Sequence, residues 1–209
     1  MKAWYFSNTD CKLSYDDKRL IQPGVTHKVS CQPILCEQGL HASVNILDAL
    51  QYAPGPYIWR VELGGKIVQG SDKVVATERT YLWGYDATDI LWEMGRLCAL
   101  DVVHLWNAPK IVIQYLKSGD ESLRAAARDA ARAAARDASW YLARAAARAV
   151  ARAAARDTAR AATWDAARAV AWAVARDTER AATWDAARAV QSRRLVRLIM
   201  RGRVYESKN

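Results

Sequence analysis

The chain has 209 residues, 52% of them apolar, and a formal charge of +9. That length and composition suffice for one or two domains with a buried core. The opening residues MKAWYFSNTD hold no apolar signal segment, and nowhere do 18 uncharged apolar residues run together. The protein is therefore expected to be soluble rather than membrane-spanning, with the cytoplasm as its compartment.

The charge is unevenly placed. Residues 124–201 hold 17 Arg against 7 acidic residues, a balance of +10, while the remainder holds 14 basic against 15 acidic, a balance of −1. A field of that sign attracts phosphate-bearing partners; charge that merely keeps a long helix soluble is the competing reading. Four cysteines (Cys11, Cys31, Cys36, Cys98) fit reduced thiols in a cytosolic protein. Cys31, Cys36 and His41 form a C-x4-C-x4-H string that matches no common zinc spacing, and no second close pair is present, so no metal is expected.

In chain order, KAWYF (2–6) and GVTHKV (24–29) read as strands. SVNILDALQY (43–52) reads as a short helix capped by Ser43, and the PGP at 54–56 stops it. YIWRVEL (57–63) alternates as a strand, Gly64-Gly65 predicts a tight turn into KIVQ (66–69), and KVVATERTYLW (73–83) is a further strand. Asp86 is placed to cap a helix running through Trp106, with His104 a boundary residue on it. Pro109 opens a last short helix that Gly119 closes. These elements predict an α+β domain over 1–118. It is expected to stay folded without the C-terminal half of the chain, because it carries the large apolar residues.

From Arg124 the sequence is written in fours. All seventeen first positions to residue 188 are Arg or Trp, 13 and 4 respectively; Asp keeps to the second position, Val and Leu to the third. A twenty-residue period overlies this, so that ARDTARAATWDAARAV (155–170) returns as ARDTERAATWDAARAV (175–190) with Ala159 replaced by Glu179. Alanine and arginine are strong helix formers and no Gly or Pro interrupts 120–201, so an all-α Ala/Arg/Trp repeat region is predicted over 119–203, with a tail at 204–209. The first-position stripe drifts by about 40° per tetrad, about 200° per twenty residues, so one straight helix cannot hold it against one flat partner. Either a single rod carries a spiralling stripe, or the region folds into stacked antiparallel helices. The stack is favoured, since a lone rod leaves its Val and Trp nothing to bury against. Asp129, Asp157, Asp165, Asp177 and Asp185 each precede an Arg by three, the spacing for side-by-side pairing. The stripe arginines without such a partner, Arg144, Arg148 and Arg152 among them, are the ones open to a ligand. Trp140, Trp164, Trp172 and Trp184 supply stacking surfaces beside them, the combination that holds nucleotides and single strands. Each Trp taken alone also fits a core role.

The segment CEQGLHASVNILDALQYAPGPYIWRVELGGKIV (36–68), with DKVVATERTYLW (72–83), resembles an N-terminal domain of uncharacterised bacteriophage and prophage proteins that precedes a variable, low-complexity repeat tail. The resemblance covers roughly 1–120 and implies a phage setting and, with it, the host bacterial cytoplasm; in that setting a natural use of ligand capture is to blunt a host defence. More distantly, the step Gly39-Leu40-His41-Ala42-Ser43, a helix ending at Tyr52 and a strand ending at Leu63-Gly64 resemble the middle of the ADP-ribosyltransferase fold. That resemblance implies Tyr5 in the first nicotinamide-dinucleotide-gripping slot, His41 or Ser43 in the second and Glu78 in the third. Tyr5 departs from the expected His or Arg there.

Three functions from different classes are compatible with these features. A non-enzymatic protein binds an anionic partner, nucleotide or nucleic acid, through Arg144, Arg148, Arg152 and the tryptophans, with no cofactor. An ADP-ribosyltransferase-like enzyme uses the repeat as a docking arm. A structural protein self-associates into homo-oligomers through its alanine faces. The first is the leading expectation.

Overall fold

A computed structural model of the chain describes residues 1–13, 17–137, 146–151, 153 and 180–206, with the backbone alone at 180–182 and 205–206. The fold is α+β, an antiparallel sheet followed by helices. Contacts divide it into two compact units, Met1–Thr88 with Ile199–Asn209, and Asp89–Leu198. Composition changes near residue 118, whereas this division falls thirty residues earlier.

The first unit is built on β1 (Lys2–Ser7), β2 (Thr26–Lys28), β3 (Leu40–Ala42), β4 (Tyr57–Gln69) and β5 (Val74–Asp86). The path of the sheet is β1-β4-β5-β2, with β3 also on β5, and every pairing is antiparallel. The expected turn at Gly64-Gly65 is instead a bulge inside a 13-residue strand. Gly65 takes φ +68°, open to glycine without strain, and the ladder resumes with Ile67 opposite Ala76. KIVQ and VVAT are both β-rich and find each other as partners, so pairing outweighs the turn preference of two glycines. The reversal moves to Gly70, whose N–H reaches the Lys73 carbonyl at 2.8 Å.

Between β3 and β4, α1 (Ile46–Gln51) is capped by Asn45, whose Oδ1 accepts the Leu47 N–H at 2.9 Å. Ser43, the expected cap, exchanges two backbone bonds with Trp4 instead and is buried. The core joins Ala3, Trp59, Val61, Leu63 and Tyr81 of the sheet to Leu13, Ile21, Leu40 and Ala42.

In the second unit, α2 (Thr88–Asp101) begins where Asp86 Oδ1 accepts the Thr88 N–H at 2.9 Å. It stops five residues before the expected Trp106 and passes into a 3-10 turn at Val103–Leu105. Two adjacent β-branched valines and the approach to Pro109 disfavour continuation. α3 (Lys110–Ser118) follows Pro109 and closes on Gly119, left-handed at φ 72°, as the sequence predicts. α4 (Glu121–Asp137), helical residues 146–151 and α5 (Arg180–Glu206) as far as Leu198 complete it, and every described residue from 121 to 200 is helical. The apolar cluster unites Ala99, Val112, Tyr115 and Leu116 with Ala127, Ala131, Val150, Ala151 and Ala153. An alanine methyl contributes only about 0.8 kcal/mol on burial. Close backbone approach and dispersion contacts therefore carry this packing.

The expected pairing of Asp129 with Arg132 gives way to one with Arg128, at 3.0 Å, while Glu121 and Arg124 do pair at a spacing of three. Exposed pairs differ in worth by tenths of a kcal/mol, so a rotamer decides the partner. The pairings expected of Asp157, Asp165 and Asp177 lie outside the described residues.

Candidate functional site

Alternation along the strands decides which of the expected transferase residues meet. Tyr5 on β1 lies half-buried, and the Arg79 guanidinium sits 3.7 Å from the centre of its ring. Arg79 Nη1 donates to the His41 carbonyl on β3, so Tyr5 and the His41 backbone gather around one arginine. The His41 imidazole turns to the chain before it, with Nε2 accepting the Cys36 N–H at 3.1 Å. Burial chiefly holds it below the ordinary histidine range. Glu78, one residue from Arg79, points to the other face, where its carboxylate pairs with Lys28 at 2.9 Å opposite Gly64. A period of two puts neighbours on opposite faces of a strand. The three residues of the transferase resemblance thus occupy two faces of the sheet.

Arg79 itself is not among the residues that the sequence singles out, although it sits in an alternating strand where an inward arginine is an anomaly. It is 2% exposed. Its Nε donates to the Tyr81 hydroxyl at 2.9 Å, and Tyr81 lies 3.1 Å from His27 Nδ1. His27 Nε2 lies 3.2 Å from the Leu20 carbonyl, which can only accept, so Nε2 carries the proton and Nδ1 accepts from Tyr81. Burial first, then the charges of Arg19 and Arg79, holds His27 below its ordinary value.

In the helical region, Arg148 is exposed on the described stretch 146–151, and Trp184 is half-buried on α5. Arg144, Arg152, Trp140, Trp164 and Trp172 lie outside the described residues. The structure adds two residues beyond the repeat. Arg193 and Arg197, one helical turn apart on α5, are exposed and form no ion pair among the described residues. With Ser192 and Val196 they line an open depression of about 520 Å³. Their neighbour Arg194 has the opposite fate: its two Nη atoms grip Asp101 at 2.6 and 3.1 Å, and it stays half-buried. Beside that pair, burial pushes the Cys98 thiol up to about 12, leaving an inert thiol. The signal for Arg193 and Arg197 was present in their spacing of four, one position out of register with the stripe that ends at Arg188.

Among the described residues, no group of three His, Cys, Asp or Glu is arranged to hold a metal ion, and no helix is long and apolar enough to cross a membrane. Residues 8–94 match a family model described as a domain of unknown function, DUF7666, under half of the chain. It contains His27, His41, Glu78 and Arg79 and none of the repeat. No match was found among curated proteins or among solved structures.

Proposed function

We propose that the protein binds an anionic partner, a nucleotide or a nucleic acid, through the arginines of its helical region, and that it does so without catalysis. The observation that carries this reading is the pair Arg193 and Arg197. Both are exposed, neither has a carboxylate partner among the described residues, and both border one open depression. Side chains four apart on a helix stand about 5–6 Å apart at Cβ, so two guanidinium forks present themselves together to neighbouring phosphate oxygens. The separation of Tyr5 and Glu78 on two faces of the sheet favours binding over the transferase reading. In the phage setting implied by the resemblance, the captured anion is a host nucleotide signal or nucleic acid.

We infer further that the repeat region folds back as stacked helices. Val150, Ala151 and Ala153 share one buried cluster with Ala127 and Ala131 of α4, which supports a stack over a lone rod. That burial occupies alanine faces within the chain and so favours ligand binding over self-assembly.

The test is titration of the full chain with labelled single-stranded DNA and with common nucleotides over a salt series. The double variant Arg193→Gln, Arg197→Gln keeps helix propensity while removing two charges. Its affinity is expected to fall at least tenfold, and its salt slope for single strands to fall by about 1.4, from about 0.7 per phosphate contact. The triple variant Arg144→Gln, Arg148→Gln, Arg152→Gln is expected to act in the same direction. A wild-type chain that binds none of these ligands, or variants with unchanged affinity and slope, overturns the proposal.

A further inference from the structure

A second feature, in the first unit and independent of the helical arginines, is a buried cation without a counter-ion. Arg79 is 2% exposed, yet no Asp or Glu among the described residues pairs with it. Glu78 is turned to the other face and held by Lys28, and Asp17 is held by Arg19 at 2.6 Å. An arginine cannot shed its charge as a buried lysine can, so the compensation has to come from elsewhere. A buried, unpaired ion is among the most destabilising features a fold can carry.

The neighbours of Arg79 give it hydrogen bonds but no negative charge. Nε is used by the Tyr81 hydroxyl, and the proton of that hydroxyl is committed to His27 Nδ1. Burial raises Tyr81 above the usual phenol range, so no phenolate balances the guanidinium. Nη1 spends one proton on the His41 carbonyl. The Tyr5 ring covers one face of the guanidinium, 3.7 Å from its centre. Nη2 makes no hydrogen bond among the described residues. The guanidinium is thus clamped on Nε, on Nη1 and on its face, and its Nη2 is left without a hydrogen-bond partner among the described residues.

The geometry points to Arg79 as the anchor of an oxyanion site in the sheet unit, which takes a carboxylate or phosphate group of a small ligand on the Nη1–Nη2 edge, over the ring of Tyr5. A planar two-oxygen anion matches that edge in a bidentate manner. Tyr81, His27 and the His41 backbone hold the fork in orientation, so little ordering remains to be done when the anion arrives.

Calorimetric titration of the full chain with inorganic phosphate and with acetate, at constant ionic strength set by chloride, tests the site. In the Arg193→Gln, Arg197→Gln chain, which lacks the helical pair, one saturable site for at least one anion is expected to remain, as in the wild type. Preference for phosphate assigns a phosphate ester as the natural ligand class, and preference for acetate a carboxylate. Arg79→Lys keeps the charge and removes the fork, and is expected to weaken binding at least tenfold. Arg193→Gln, Arg197→Gln is expected to leave this site unchanged, which separates it from the helical arginines. If Arg79→Lys does not melt cooperatively, Tyr5→Leu carries the test, since it removes the ring that fixes the guanidinium plane and is expected to weaken binding several-fold. Absence of saturable binding to the wild type, affinity that survives these substitutions, or loss of binding in the Arg193 and Arg197 variant overturns the inference.

Discussion

The chain of hydrogen bonds from Arg79 through Tyr81 to His27 and the Leu20 carbonyl has one direction of donation. A proton added at His27 Nδ1 would reverse one link and bring a second positive charge beside Arg79. The folded-state value of His27 therefore lies below the ordinary one, as does that of His41. As pH falls, the unfolded chain takes up these protons first, so the folded state loses stability. Stability is expected to be level above about pH 7.5 and to decline as pH drops through the ordinary histidine value of about 6.5. Urea midpoints measured from pH 7.5 to 5.5 check this; His27→Gln should show a shallower slope, and an equal slope would remove the assignment. None of this relay was legible in the sequence. His27, Arg79 and Tyr81 read as alternating strand residues, and only the pairing of β2 with β5 puts His27 opposite Arg79.

At the scale of elements, residues with strong local preferences kept their roles. Pro109 and Gly119 bound α3 because fixed φ and a left-handed C-cap are backbone properties that need no tertiary partner. Gly64-Gly65 behaved otherwise, because the strands on either side found a ladder. Gly84 belongs to a third class, set by packing: a Cβ there would stand 2.4 Å from the Trp59 ring. The sheet admits Trp59 to its core only because position 84 across the ladder is empty. Gly84→Ala is expected to destabilise the chain by about 1–3 kcal/mol, the usual range for overpacking. Chemical denaturation checks this, and a neutral result would mean that the ring can withdraw. The three-residue β3 carries too short a pattern to be seen in the sequence; its partners on β5 define it.

For the whole molecule, the division after Thr88 and the return of Ile199–Asn209 to the sheet unit change the expectation for truncation. The Tyr85 hydroxyl donates to the Ile199 carbonyl at 2.6 Å, and Arg203 lies 4.7 Å from the centre of the Trp83 ring. A fragment of residues 1–118 loses both contacts together with buried Ile199. Loss of that burial removes about 1.5–3 kcal/mol. At about 4–8 °C per kcal/mol for a fragment of this size, it is expected to keep a cooperative transition while melting at least about 6 °C below the full chain. Calorimetry of the two decides it; an equal Tm would show that the C-terminal turns contribute nothing to the sheet unit.

The sequence by itself determined the α+β class, the helical state of the described Ala/Arg positions, the ends of α3 and the concentration of positive charge in the second half. Each rests on local propensity or on counting, and neither depends on where the chain goes next. Only the tertiary structure decided that Glu78 and Tyr5 part company and that Arg79 is buried with no carboxylate partner among the described residues. It also decided that Arg194 is neutralised by Asp101 while Arg193 has no carboxylate partner among the described residues. Those outcomes depend on which strand lies beside which and on which helix face is covered. Adjacent residues such as Glu78 and Arg79, or Arg193 and Arg194, carry no local signal that tells them apart; the partner across the gap does.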